Sequence, residues 1–112
     1  MEWEFFFRQL EAGINIDEIC FYFADDTDKN EHYLGYLLQY EKPYWVGNCD
    51  IEDGCEFESA KELVEAPIFD GKSLRKRWNS VVICSIEGCG LDDWIKFFSI
   101  YDNYSSLSKM LS

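Results

Sequence analysis

Trp3, Phe5 and Phe7 alternate with Glu2, Glu4, Phe6 and Arg8, a period of two that predicts a half-buried aromatic strand at the start of the chain. Ala12-Gly13-Ile14-Asn15 breaks the pattern, and Ile19-Cys20-Phe21-Tyr22-Phe23 resumes it, so the two segments are expected to pair as an antiparallel hairpin. Asp25 to Glu31 is polar throughout and predicts a loop with an exposed tip. Tyr33 to Tyr40 fits a strand, because it is rich in tyrosine, contains Gly35 and runs into Lys42-Pro43. Tyr44-Trp45-Val46, an acidic turn from Asn48 to Gly54, and Cys55-Glu56-Phe57 continue an antiparallel sheet.

Helical signals follow. Ser59 with Glu62 three residues later is a capping box, in which each side chain satisfies a free amide at a helix start. The helix should end by Ala66, since a proline at position 67 has no amide hydrogen and would clash with the preceding turn. Asp70-Gly71-Lys72-Ser73 predicts a turn, with Ser73 capping a brief helix that places Leu74 and Trp78 on one face. Val81 to Ile86 is an apolar, β-branched run expected to form a central strand. After Gly88-Cys89-Gly90, the residues Leu91, Trp94, Ile95, Phe98 and Tyr101 keep the 3.6-residue period of an amphipathic helix, with Asp92 and Asp93 at its positive end. Strands first and helices later predict an α+β fold: a mostly antiparallel sheet of about four to six strands with two or three helices packed on one face.

Composition narrows the class. A chain of 112 residues, 47% hydrophobic and with twenty aromatics, has the material for one core and none of the signature of disorder, so a single domain over 1–112 is expected. The opening residues carry acid where an export signal needs base, and the apolar runs fall far short of the roughly 20 residues of a membrane span. Five cysteines form an odd set, which fits reduced thiols and a cytoplasmic location. Charge is the most unusual quantity: 22 acids against 10 bases give −12. Residues 1–70 hold 18 acids and 4 bases, while residues 71–112 hold 4 and 6. Such a surface repels nucleic acid and anionic lipid and attracts basic proteins.

Candidate chemistry is sparse. Asp26-Thr27-Asp28-Lys29-Asn30 imitates the start of a calcium loop, but Glu31 replaces the glycine at the sixth position and Leu37 the glutamate at the twelfth. Cys49 with Cys55 and Cys84 with Cys89 are spaced by five and four residues, wider than usual zinc knuckles, and Cys84 falls in an apolar run, so the cysteines read as small hydrophobes and no metal or cofactor is expected. His32 is the only histidine, so any Cys–His or histidine-base mechanism must use it; it reads as an isolated surface residue. No serine lies in a nucleophile elbow, and the Gly88-Cys89-Gly90 turn lacks a third glycine and is followed by acid that would repel phosphate, which makes it a poor phosphate cradle. The basic cluster from Lys72 to Arg77 has the charge to hold a phosphate or an acidic partner, but with so much acid in the preceding segment it is expected to neutralise acid within the molecule.

What remains is acid interleaved with large aromatics, the composition of a protein interface. The expected partner-binding set is Asp25, Asp26, Asp28, Glu31, Tyr33, Tyr36, Tyr44, Trp45, Asp50, Glu52 and Asp53, with no catalytic residue. The expected function is a non-enzymatic inhibitor or immunity-type protein that masks the basic surface of a partner, such as a nuclease toxin or another nucleic-acid-binding protein. Two alternatives compete with it: a small metal- or His32-dependent enzyme, and a structural subunit of a homo-oligomer or larger complex.

Overall fold

The computed structural model describes residues 1–90. In chain order these form helix α1 (Trp3–Ala12), strands β1 (Ile19–Phe23), β2 (His32–Tyr36), β3 (Tyr44–Gly47) and β4 (Cys55–Phe57), helix α2 (Ala60–Glu65), a 3-10 turn at Trp78–Ser80 and strand β5 (Val81–Ile86). The strands make one sheet in the order β4-β3-β2-β1-β5, antiparallel at every junction. This is the expected α+β architecture with two α-helices. The helix expected from Leu91 to Tyr101 lies outside the described residues.

The first element is a helix, not the strand that the Trp3/Phe5/Phe7 alternation suggests, and the hairpin expected between it and Ile19–Phe23 does not form. The deciding pattern is Trp3, Phe6, Phe7 and Leu10, spaced i, i+3, i+4, i+7 along one helical stripe. Phe6 and Leu10 are buried, and Trp3 stacks on Phe7 one turn away. Gly13 closes the helix in the left-handed region at φ 68°, its N–H reaching the carbonyls of Gln9 and Leu10. In place of the missing hairpin partner, β1 pairs with β2 on one side and β5 on the other.

β5 is therefore an edge strand among the described residues, not a central one. Its apolar run reflects partial cover on both sides: Val81 and Ile83 pack against the core and Ile86 is buried, whereas Val82 lies on the other side. The strand expected over Tyr33–Tyr40 stops at Tyr36, after which Leu37 N–H bonds to the Pro43 carbonyl and Leu38 and Tyr40 are exposed.

The core lies between one face of the sheet and the two helices. Ile19, Phe21 and Phe23 of β1, Leu34 of β2 and Tyr44 and Val46 of β3 meet Phe6 and Leu10 of α1 and Ala60, Leu63 and Val64 of α2. α2 begins as its sequence predicts, with the Ser59 hydroxyl accepting the Glu62 N–H at 3.1 Å. Ser73 likewise accepts the Lys76 N–H, but the residues that follow tighten into the 3-10 turn instead of a regular helix. Trp78 from that turn stacks on Phe6 at 4.5 Å and donates its indole N–H to the Met1 carbonyl, fastening α1 to the rest of the core.

One glycine is fixed by a close approach. The segment between α1 and β1 passes so near β2 that a Cβ on Gly35 would lie 1.9 Å from the Asp17 carbonyl oxygen. That same carbonyl accepts the Trp45 indole N–H at 3.2 Å, so the backbone there has no room to retreat without losing a bond. Gly35→Ala is expected to destabilise the fold by about 2 kcal/mol or more, a drop in Tm of about 10 °C, measured by thermal unfolding. An unchanged Tm would show that the 14–18 segment is not held against β2.

Candidate functional site

The antiparallel order has a direct consequence for charge. β1 runs toward the end of the sheet from which β2 departs, and β3 returns to that end before β4 leaves it, so the 24–31 and 48–54 connections emerge side by side. Together they carry seven acids and one base, Lys29. Asp25, Asp28, Glu31, Asp50, Glu52 and Asp53 are exposed and Asp26 is half-buried.

Specific bonds hold the two loops together. The Asn48 side-chain amide donates to the Glu31 carbonyl, and the Asn48 carbonyl meets Nδ1 of His32. His32 is thus not an isolated surface residue. Its ring is wedged among Phe21, Phe23 and Phe69, with centroids 5.3–5.4 Å away, and the structure uses it as a pin between the loops. Asp26 accepts the N–H groups of Asp28 and Asn30, one on each oxygen, and so shapes its own loop. Asp50 accepts the N–H groups of Asp70 and Gly71 at 2.9 and 2.8 Å, which ties the second loop to the turn after α2.

Arg77, which sequence reasoning placed only within a basic cluster, is the cation that pairs with acid at this end. Its guanidinium lies 3.7 Å from the centroid of the Phe23 ring, bonds to Asp25 at 2.8 Å and approaches Asp70 at 3.7 Å. This is the neutralisation expected of the 72–77 cluster, carried by a side chain that is largely buried. Arg75 of the same cluster instead sits over the Trp3 ring. No local pattern announces the Arg77 contact, because Asp25 is 52 residues away in sequence.

The predicted aromatics divide. Tyr33 and Trp45 lie on the face of the sheet away from the helices, both half-buried. Trp45 borders a shallow depression of about 470 Å³ whose rim includes Lys42, Asp53 and Glu56. Tyr44, in contrast, is only 6% exposed and donates its hydroxyl to the Glu11 carbonyl, and Tyr36 packs against it at 4.9 Å. These two belong to the core side: odd and even positions of a strand face opposite ways, and the register puts Tyr44 and Val46 inward. Tyr44 is removed from the partner-facing set on that ground, and Tyr36 is turned away from the acidic end.

Of the two cysteine pairs that spacing suggests, Cys49 with Cys55 are neighbours, whereas Cys84 has a different one. Cys84 is exposed, and its neighbour is Cys20 across the β1–β5 junction, not Cys89. Burial, with Cys84 and Glu31 adding to it, pushes the Cys20 thiol up to about 12. Cys55 is pushed up to about 12 by burial and by its neighbour Cys49. The Tyr33 hydroxyl donates to Glu31, and that bond raises its ionisation above the ordinary tyrosine value.

No helix among the described residues is long and apolar enough to cross a membrane. Comparison of the chain with protein families, with curated proteins and with solved structures gave no match.

The Arg77 hydrogen bond lowers the Asp25 carboxyl below the ordinary aspartate range. A lowered folded-state value means the contact stabilises fully above that range and is lost as the pH falls through the lowered value. Denaturant unfolding across an acid pH series is expected to show Asp25→Asn losing less stability than wild type below the ordinary aspartate range. Parallel curves would remove Arg77–Asp25 from the account.

Proposed function

We propose that this chain is a non-enzymatic binding protein whose acidic sheet end occupies a basic surface of a protein partner. A nucleic-acid-binding face, such as that of a nuclease, is the chemistry it suits best. The observation that carries the reading is the alignment of two acidic loops by His32 and Asn48 at one end of the sheet. Carboxylates held at fixed positions on short loops imitate a run of phosphates, and like charges gathered in one place steer a cationic partner into contact.

Trp45 adds the apolar half of such an interface. Its indole is fixed by the Asp17 carbonyl, and the depression beside it carries Asp53 and Glu56 against one base, Lys42. A lysine or arginine of the partner entering there would lie against an aromatic ring with carboxylates alongside, so that ring and charge both attract it. His32 engages the Asn48 carbonyl and three phenylalanines, an arrangement that supports a scaffolding role over general-base work.

The test uses the immobilised protein and an extract of its native host, at about 50 mM and about 500 mM salt, beside Asp28→Lys/Glu52→Lys. Both substituted side chains are exposed, so the fold should tolerate the change. The expected outcome is a basic protein retained at low salt, released at high salt and bound at least about tenfold more slowly by the variant. Retention that ignores both salt and the charge reversal, or retention of acidic proteins alone, would overturn the proposal.

A further inference from the structure

Beyond partner binding, we propose that Cys20, Cys84 and Glu31 form a binding site for a thiophilic divalent cation of the zinc class. One thiol sulfur from each cysteine and a Glu31 carboxylate oxygen lie within 4.8 Å of one another. The three residues come from β1, from β5 and from the residue just before β2, so the site joins three segments that are adjacent only in the folded sheet.

The backbone shows how the sulfurs come to share a face. Cys20 is opposite Ser85, while the next residue, Phe21, is opposite Ile83, so Cys84 is the extra residue of a bulge in β5. A bulge breaks the strict alternation of a strand and re-aims a side chain, and such irregularities concentrate beside functional sites. Here Ile83 and Ile86 still pack toward the core, and Cys84 is left exposed beside the buried Cys20. Glu31 is oriented as well: the Tyr33 hydroxyl donates to its Oε2 at 3.1 Å, and Tyr33 is the direct cross-strand partner of Cys20. An outer hydrogen bond that fixes a ligating carboxylate is a regular companion of metal centres.

The donor set specifies the ion. Two thiolates and one carboxylate suit a borderline-soft, tetrahedral cation, with Zn–S near 2.3 Å and Zn–O near 2.1 Å. Those lengths place neighbouring ligand atoms roughly 3.5–3.8 Å apart, so the cluster needs to close by about an ångström or less. Binding replaces two S–H bonds with two metal–sulfur bonds and releases two protons to solvent, and a water takes the fourth position because Cys84 and Glu31 face solvent. The site was invisible to spacing rules: its cysteines are 64 residues apart in the chain, and the pairs that spacing suggested were Cys49 with Cys55 and Cys84 with Cys89.

The experiment is a titration of the full, reduced protein with Cd(II), read by thiolate-to-metal charge transfer in the ultraviolet, with Zn(II) competition and a thiol count beforehand. One equivalent is expected to saturate the signal, and Zn(II) to displace it. Cys84→Ser, at an exposed position, should abolish stoichiometric binding with the circular dichroism spectrum unchanged. Tyr33→Phe, which keeps all three ligands, should weaken binding by about tenfold. Cys49→Ser/Cys55→Ser should bind as wild type does. Absence of saturable binding in protein with five reduced thiols, or binding that survives Cys84→Ser and disappears in Cys49→Ser/Cys55→Ser, would overturn the proposal.

Discussion

Like charges brought together at the end of a sheet repel one another, and the way this chain contains that repulsion shapes its acidic end. The antiparallel order leaves no choice about where the 24–31 and 48–54 connections emerge. The loops are held by three kinds of contact: backbone N–H groups that donate to the carboxylates of Asp26 and Asp50, the guanidinium of Arg77, and the neutral bridge of Asn48 and His32. The first two satisfy charge and the third fixes geometry. Asp28, Glu52 and Asp53 are left pointing to solvent on a frame that others have made rigid.

Rigidity at this end depends on packing beneath it. Phe21, Phe23, Phe69 and His32 form an aromatic floor under the loops, and the Arg77 guanidinium lies on Phe23 while it reaches Asp25. A cation held against a ring and shielded from water interacts with carboxylate more strongly than one at an open surface. α1 is closed onto the core at two places, by the Phe6–Trp78 stack next to Arg77 and by the Tyr44–Glu11 hydrogen bond at the far end of the sheet, which tie it to elements far along the chain.

Much of this was legible before the fold was known. The alternating strands β1, β3 and β4, the Ser59 cap and both acidic turns follow from local pattern. The α1 segment misleads because Trp3-Glu4-Phe5-Phe6-Phe7 satisfies a two-residue and a 3.6-residue period together; Leu10 and the Gly13 cap favour the helix. Tyr36 and Tyr44 read as interface residues because they lie between two acidic segments, and only the β2–β3 register decides which way each faces. Arg77, the Asn48–His32 bridge and the Cys20–Cys84 approach are nonlocal, each set by sheet order and not by any neighbouring residue.

The central claim is that the carboxylates of the two loops act as one cation-attracting surface, distinct from the acids elsewhere on α1 and α2. Amide chemical shifts recorded while a short arginine-rich peptide is titrated at low salt test it most directly. The account predicts concerted shifts at residues 25–31 and 50–54 and at the Trp45 indole, with residues 2–11 and 58–65 unmoved. Shifts spread evenly over every acid-bearing segment would contradict it, making the charge a general coat and not a site.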